Sequence, residues 1–155
     1  MNLPWLAHYG SLGIITPEFE DRPFGSFIEE HARVQPEAIA MWYITRGISY
    51  SEYNKQANRL ANTLVTMGVT KGDVVGIHLP NIPQYPIMLA AISKIGAIGS
   101  GISPLLAPPE VAYQIQDAGI KVVITLSELA LVLAAMPETP NCLKYTIVTG
   151  ATDLL

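Results

Sequence analysis

A loop that holds phosphate needs glycines that bring backbone N–H groups against an anion, and two stretches of this chain invite that reading. Gly96-Ala97-Ile98-Gly99-Ser100-Gly101 is G-x-x-G-x-G. Dinucleotide loops instead run G-x-G-x-x-G, after a strand and into a helix. This stretch follows a helical pattern and opens no helix, so its glycines read as close packing between a helix and a sheet. Thr149-Gly150-Ala151-Thr152 follows a strand-like run but has no lysine and no second glycine, and reads as a plain strand exit. Metal chemistry needs clustered ligands. His8, His31 and His78 are scattered with no H-x-x-x-H. His31 reads as a helix-face residue and His78, inside an apolar run, as a core histidine. The single Cys142 has no histidine or acidic residue near it in sequence, excludes an internal disulfide and reads as a small thiol in the packing. No G-x-S-x-G nucleophile motif occurs. Glu29-Glu30 reads as a solvated helix face rather than an acid/base couple. The residues alone therefore assign no catalytic, cofactor-binding or metal site.

Composition bounds the class. The chain has 155 residues, 50% hydrophobic and 14% charged, with net charge −4. The length suits about one domain. The hydrophobicity excludes disorder, and the negative charge argues against a nucleic-acid partner. Soluble domains usually carry about 25% charged residues, so either the core is unusually large for the surface or some apolar surface is covered by a partner or a further segment. Val74 to Ser93 lacks Asp, Glu, Lys and Arg, but Pro80, Pro83 and Pro86 divide it into strand, turn and helix start, so no transmembrane segment is expected. No Lys or Arg precedes Arg22, which argues against a secretory signal. A cytoplasmic protein is expected.

The elements follow from periodicity. Residues 1–24 read as an irregular lead-in, punctuated by Pro4, Gly10, Gly13, Pro17 and Pro23. A helix is expected from Ser26, with Ser26 and Glu29 as a capping box and Pro36 as its stop. Ala38 to Ile44 and Ile48 to Tyr50 form a hairpin, with Gly47 supplying the turn. Ser51 caps a long helix whose stripe is Tyr53, Ala57, Leu60, Ala61, Leu64 and Met67, ended by Gly68. Then come a strand over Val74 to Leu79, a helix from Gln84 to Lys94 and a strand over Ala97 to Ser103. A helix opened by Pro108-Pro109 carries Val111, Ile115 and Ala118 inward. Val122 to Thr125 is a strand, Ser127 caps a helix to Ala135, and Tyr145 to Val148 is the last strand. This alternation predicts an α/β fold, a largely parallel sheet flanked by helices and preceded by a β-hairpin.

Four stretches together carry a resemblance. Ile48 to Ala61, Ile-Ser-Tyr-Ser-Glu-Tyr-Asn-Lys-Gln-Ala-Asn-Arg-Leu-Ala, resembles the first core motif of the adenylate-forming enzymes. Gly68 to Asn81 resembles that family's G-V-x-K-G-D-x-V segment leading to Pro-Asn. Ala90 to Pro104 follows its second core motif, and Ser103 to Glu110 with Gln114 to Thr125 its continuation. The four occur in the family's order and cover about residues 25–148. Leu105-Leu106 favours the fatty-acyl and aryl-CoA ligases over peptide-synthetase adenylation domains. Gly99-Ser100-Gly101 departs from the bulky residues and proline usual there. Ala107 stands where the family has a threonine helix cap, a loss worth about 0.5–2 kcal/mol.

The resemblance implies that residues 25–155 are an incomplete N-terminal α/β domain of an acyl-CoA synthetase-like protein. The parent reaction it implies joins a carboxylic acid, most often a long-chain fatty acid, to CoA through an acyl-adenylate. ATP, Mg²⁺ and CoA serve that parent. The family's Ser/Thr/Gly-rich loop ending Pro-Lys-Gly does not occur in these residues, so the chain is expected to be scaffold, inactive alone. A non-catalytic α/β interaction module of the same family is the alternative. The expected partners are the remainder of the polypeptide and a second copy in a homodimer.

Overall fold

The structure is a computed structural model and describes residues 4–14 and 20–154. Pro17 and its neighbours lie outside the described residues. The chain order is α1 (Pro4–Ser11), α2 (Phe24–Val34), β1 (Ile39–Tyr43), β2 (Arg46–Ser49), α3 (Tyr50–Thr66), β3 (Val74–His78), α4 (Gln84–Lys94), β4 (Ile98–Gly101), α5 (Pro108–Asp117), β5 (Ile120–Leu126), a 3₁₀ turn (Ser127–Leu129), α6 (Ala130–Ala134) and β6 (Tyr145–Thr149).

The α/β expectation holds. β3, β4, β5 and β6 form one parallel sheet in the order β4-β3-β5-β6, and β1 and β2 form a separate antiparallel hairpin. Side chains alternate across the strands. Val75 and Ile77 of β3 and Val122, Ile124 and Leu126 of β5 pack under Leu64 of α3 and Met88 and Ile92 of α4. Val123 faces the other way, and so does Ile120 because the register slips between Ile120 and Val122; both pack onto Val111 and Ile115 of α5 and Leu133 of α6. A third apolar cluster joins Ile28 of α2, Ile48 of β2, Tyr53, Ala57 and Ala61 of α3, and Ile87, Ala90 and Ala91 of α4. Among the described residues no helix is long and apolar enough to cross a membrane.

Five local expectations are corrected. Residues Pro4–Ser11 of the supposed irregular lead-in are helical. Pro4 opens α1, and Gly13, at φ +68°, closes it in a Schellman pattern with Ile14 N–H on the Tyr9 carbonyl and Gly13 N–H on the Gly10 carbonyl. These residues read as loop punctuation but are start and stop signals.

α2 starts at Phe24, before Ser26. The Ser26 hydroxyl donates to the Pro23 carbonyl at 2.8 Å and Glu29 pairs with Lys94, so that capping box does not form. The cap of α3 is Ser49, whose Oγ accepts from the Glu52 N–H at 3.2 Å. Ser49-x-x-Glu52 has capping-box spacing, and Ser51 sits inside the helix. Ser127 does not cap a helix either. Its hydroxyl donates to Glu128 in a 3₁₀ turn that precedes α6.

The hairpin turns at Ile44-Thr45, between paired Tyr43 and Arg46, and Gly47 lies within β2 opposite Trp42. Ile44 sits at φ +55°. That region costs an ordinary L-residue about 1–2 kcal/mol, and two-residue hairpins favour glycine there. Ile44 is 72% exposed, so little packing opposes a change. Ile44→Gly should therefore raise the unfolding free energy by about 0.5–1 kcal/mol. A lower urea midpoint for that variant would contradict the turn geometry.

Candidate functional site

In an open parallel sheet, ligands bind beyond the carboxyl ends of the strands, where neighbouring connections leave for opposite faces. Here β3 leads to α4 on one face, while β4 and β5 lead to α5 and α6 on the other. The carboxyl end of β3 is thus the place to look.

It holds two polar side chains that the apolar sequence pattern hides. His78 and Thr125 are fully buried on adjacent strands, with His78 Nδ1 and Thr125 Oγ1 3.0 Å apart. His78 Nε2 is buried without a partner. Just beyond, Gln84 at the start of α4 donates through Nε2 to the Gly150 carbonyl at 2.8 Å, while its Oε1 is buried and unpartnered. Gly150 N–H and Thr149 Oγ1 both donate to Asp153 Oδ2, at 2.7 and 2.9 Å. A groove of about 390 Å³ opens beside these groups, lined by Arg59, Leu60, Gln84, Met88, Ile147 and Asp153 among others. The Thr149-Gly150 exit is thus a turn closed by its own aspartate, with the glycine N–H already used.

Burial depresses the His78 pKa below its ordinary 6.5. The unfolded chain then binds more protons than the folded one just below pH 6.5, so stability rises with pH in that window and falls as pH drops through it. Unfolding followed from pH 7.5 to 5 should show this loss, and His78→Gln should flatten it. An unchanged slope in that variant would assign the loss to other groups.

The other candidates do not join this site. Glu29 pairs with Lys94 at 2.6 Å and Glu30 with Arg22 at 2.6 Å, so the two carboxylates serve separate ion pairs. Hydrogen bonding from Arg22 lowers the Glu30 pKa. His31 meets the Tyr50 ring edge-on, and His8 lies on exposed α1. Half-buried Cys142 donates its thiol to the Ile115 carbonyl at 3.4 Å. Gly96 ends α4 at φ +69°. Gly99 lies on edge strand β4, where an added Cβ would only reach ordinary contact with Leu89 at 3.5 Å. Of the glycines in that run, Gly101 makes the expected close approach to a helix, its Cβ position lying 3.2 Å from Tyr85 Oη of α4, whereas Gly99 does not. Gly76, in β3, is tight against its own sheet and the strand exit beside it, since a Cβ there would fall 3.0 Å from Ile102 Cδ1 and 3.1 Å from Ile120 Cγ2. Among the described residues no group of three His, Cys, Asp or Glu could hold a metal ion.

At the opposite, amino end of the sheet sits a clasp. Gly68 and Gly72 adopt φ +80° and +88°. Asp73 Oδ2 accepts from Thr70 N–H at 2.7 Å, Thr70 Oγ1 at 3.0 Å and Lys121 Nζ at 2.9 Å, and Lys121 also donates to the Gly68 carbonyl. The hydrogen bond from Lys121 leads in holding the Asp73 carboxyl down at about 2. The Gly-Val-Thr-Lys-Gly-Asp run thus ties the exit of α3 to β3 and β5.

A family model described as "AMP-binding enzyme" matches residues 28–153. The acetyl-coenzyme A synthetase of Cronobacter sakazakii is 37% identical over 97 residues, which are 63% of this chain and 15% of that protein. Among solved structures, the N-terminal domain of FACL13 from Mycobacterium tuberculosis aligns at TM-score 0.74 and 28% identity, over 83% of this chain and 33% of that one. The anthranilate CoA ligase AuaEII aligns at TM-score 0.78 and 25% identity, over 86% of this chain and 26% of that one. The chain spans about 15% of the length of the curated relatives it matches.

Proposed function

Because the chain belongs to the AMP-binding enzyme family, we propose that its residues are scaffold for an ATP-dependent acyl-CoA ligase, which joins a carboxylic acid to CoA. In this reading residues 25–155 are part of a larger N-terminal α/β domain in the cytoplasm, and the rest of that polypeptide is their first partner. What supports it is where the family-like residues sit. Ser49 and Glu52 cap α3, Gly68 to Asp73 form the clasp, and Val74 to His78 form the central strand. Each serves position rather than chemistry.

The residues present do not fit ATP with Mg²⁺. The carboxyl-end groups are a buried histidine, a glutamine and a carboxylate already bonded to its own turn. No step through the nucleotide is assigned to them. A fatty acyl CoA synthetase among the solved neighbours supports a fatty acid, a long-chain one in our reading, and acetyl-CoA synthetases among the sequence relatives support acetate as the second reading.

Carboxylate-dependent ATP–pyrophosphate exchange tests this, with acids from acetate to palmitate. The 155-residue chain alone should stay at the no-enzyme level. Grafted in place of the matching segment of a fatty-acyl-CoA ligase, it should keep exchange and thioester formation. A folded graft without either activity would overturn the scaffold reading in favour of a non-catalytic interaction module, and exchange by the chain alone would overturn its inactivity.

A further inference from the structure

The pairing of β6 with β5 ends at Thr149, opposite Leu126. The residues that follow, Gly150 to Leu154, are nonetheless held at both ends. Within the turn, Asp153 Oδ2 accepts from Thr149 and Gly150, and the Asp153 N–H donates back to the Gly150 carbonyl at 3.3 Å. A Cβ at Gly150 would fall 2.7 Å from Asp153 Oδ1, so a side chain there would push the carboxylate off its two donors. Side chains from far along the chain then reach the turn. Gln84 Nε2 of α4 donates to the Gly150 carbonyl. Arg46, on β2, donates through one guanidinium nitrogen to the Leu154 carbonyl at 2.7 Å and pairs through the other with Glu52 of α3. Ala151 packs on the cluster around Leu64, and Leu154 on the cluster around Tyr53.

Ordering these residues costs backbone entropy, and β6 does not require it, because its ladder is complete before the turn begins. Gln84 is only 6% exposed and its Oε1 is left bare. An apolar side chain would fill that place without leaving a buried acceptor unpartnered, so what the glutamine adds is a donor for the turn. Both ties also pull the same way. Gln84 belongs to α4, and Arg46 is braced on α3 through Glu52; these two helices cover one face of the sheet, while α5 and α6 cover the other. Resting on the ligase reading above, in which the polypeptide is longer than these residues, we propose that Arg46 and Gln84 are positioning residues that turn the chain leaving β6 onto the α3–α4 face, and so fix where the rest of the domain starts. Neither acts on a reacting atom; both act through the carbonyls of Gly150 and Leu154. A misplacement of about 1 Å far from the chemistry can cost about 100-fold in rate, which is the scale on which such a hold matters.

Hydrogen exchange of the 155-residue chain reads the ties directly. Methionine keeps the reach of either side chain but has no donor. The Gly150 and Asp153 amides should therefore exchange at least about tenfold faster in Arg46→Met/Gln84→Met than in the native chain, while the amides of β3 keep their rates. Equal rates at Gly150 and Asp153 in the two proteins would overturn the proposal. In the ligase graft described above, the same double variant should slow ATP–pyrophosphate exchange at saturating substrates by about ten- to a hundredfold, with KM values within about threefold and an unchanged unfolding midpoint. Arg46→Lys keeps one donor for the Leu154 carbonyl and should recover part of the rate lost in Arg46→Met. A variant graft as active as the native graft would overturn the positioning role, since the ties would then serve the turn alone. A folded native graft without activity would instead overturn the ligase reading, and exchange at Gly150 and Asp153 would still decide whether Arg46 and Gln84 hold the exit.

Discussion

Truncating Leu64 to alanine should lower the unfolding free energy by about 2–5 kcal/mol, whereas Leu60→Ala should cost only about 1 kcal/mol. Both leucines belong to the three-and-four spaced stripe of α3, and the sequence pattern alone treats them alike. The structure separates them. Leu64 is fully buried among Val75, Ile77, Val122 and Ile124, at the centre of the sheet–helix core. Leu60 is half-buried, at the seam between two apolar clusters and on the wall of the groove beside β6. Removing Leu64 leaves a cavity that close-packed strands cannot collapse into, so the cavity penalty adds to the lost transfer energy. Solvent or a rotating neighbour can fill the space left by Leu60. Urea unfolding with unchanged slope reads both effects. Equal midpoint shifts would mean that α3 is rotated about its axis from the orientation described.

The parts of this fold that sequence makes legible are those governed by repetition. Val74 to Ile77 reads as a doubly buried strand because every position in it is apolar or small, and α4 is bounded by Gln84 and Lys94 through the proline-rich turn before it and Gly96 after it. Single-residue decisions were less legible because several residues offer the same local chemistry. Ser49 and Ser51 both precede the α3 stripe. Only Ser49 has an acidic residue three positions on, and that spacing was the available signal. At the hairpin, Gly47 drew the turn toward itself because glycine tolerates φ > 0, yet the register of β1 with β2 puts that burden on Ile44. The polar groups at the carboxyl end of β3 were hidden for a different reason. His78 and Thr125 meet through strand pairing across 47 residues, and Gln84 reaches Gly150 across 66. No spacing rule along the chain reports such a contact. The aspartate of Lys71-Gly72-Asp73 likewise finds Lys121 only once β5 lies beside β3.

Gly25→Ala should destabilise the fold by about 1–3 kcal/mol, although alanine is the better helix former. Gly25 lies in the first turn of α2, where that helix crosses α4. A Cβ there would fall 2.6 Å from Lys94 Cγ and 2.9 Å from the Ala90 carbonyl oxygen. The lysine stem can swing aside, but doing so disturbs its 2.6 Å pairing with Glu29. The Ala90 carbonyl belongs to the α4 backbone and cannot move without shifting the helix. α2 would have to back away, stretching the 3.0 Å hydrogen bond from Gly25 N–H to Ser93 Oγ and loosening Ile28 from Ala90 and Ala91. Gly10→Ala provides the contrast, since nothing lies within 4 Å of its Cβ position in α1. There the substitution should leave global unfolding unchanged and add helicity, because only the backbone entropy of glycine is removed. Relieving the stem with Lys94→Ala should recover part of the Gly25→Ala loss and leave the part due to the Ala90 carbonyl. Full recovery in the double variant would show that the crossing of α2 and α4 is set by the lysine side chain rather than by backbone contact.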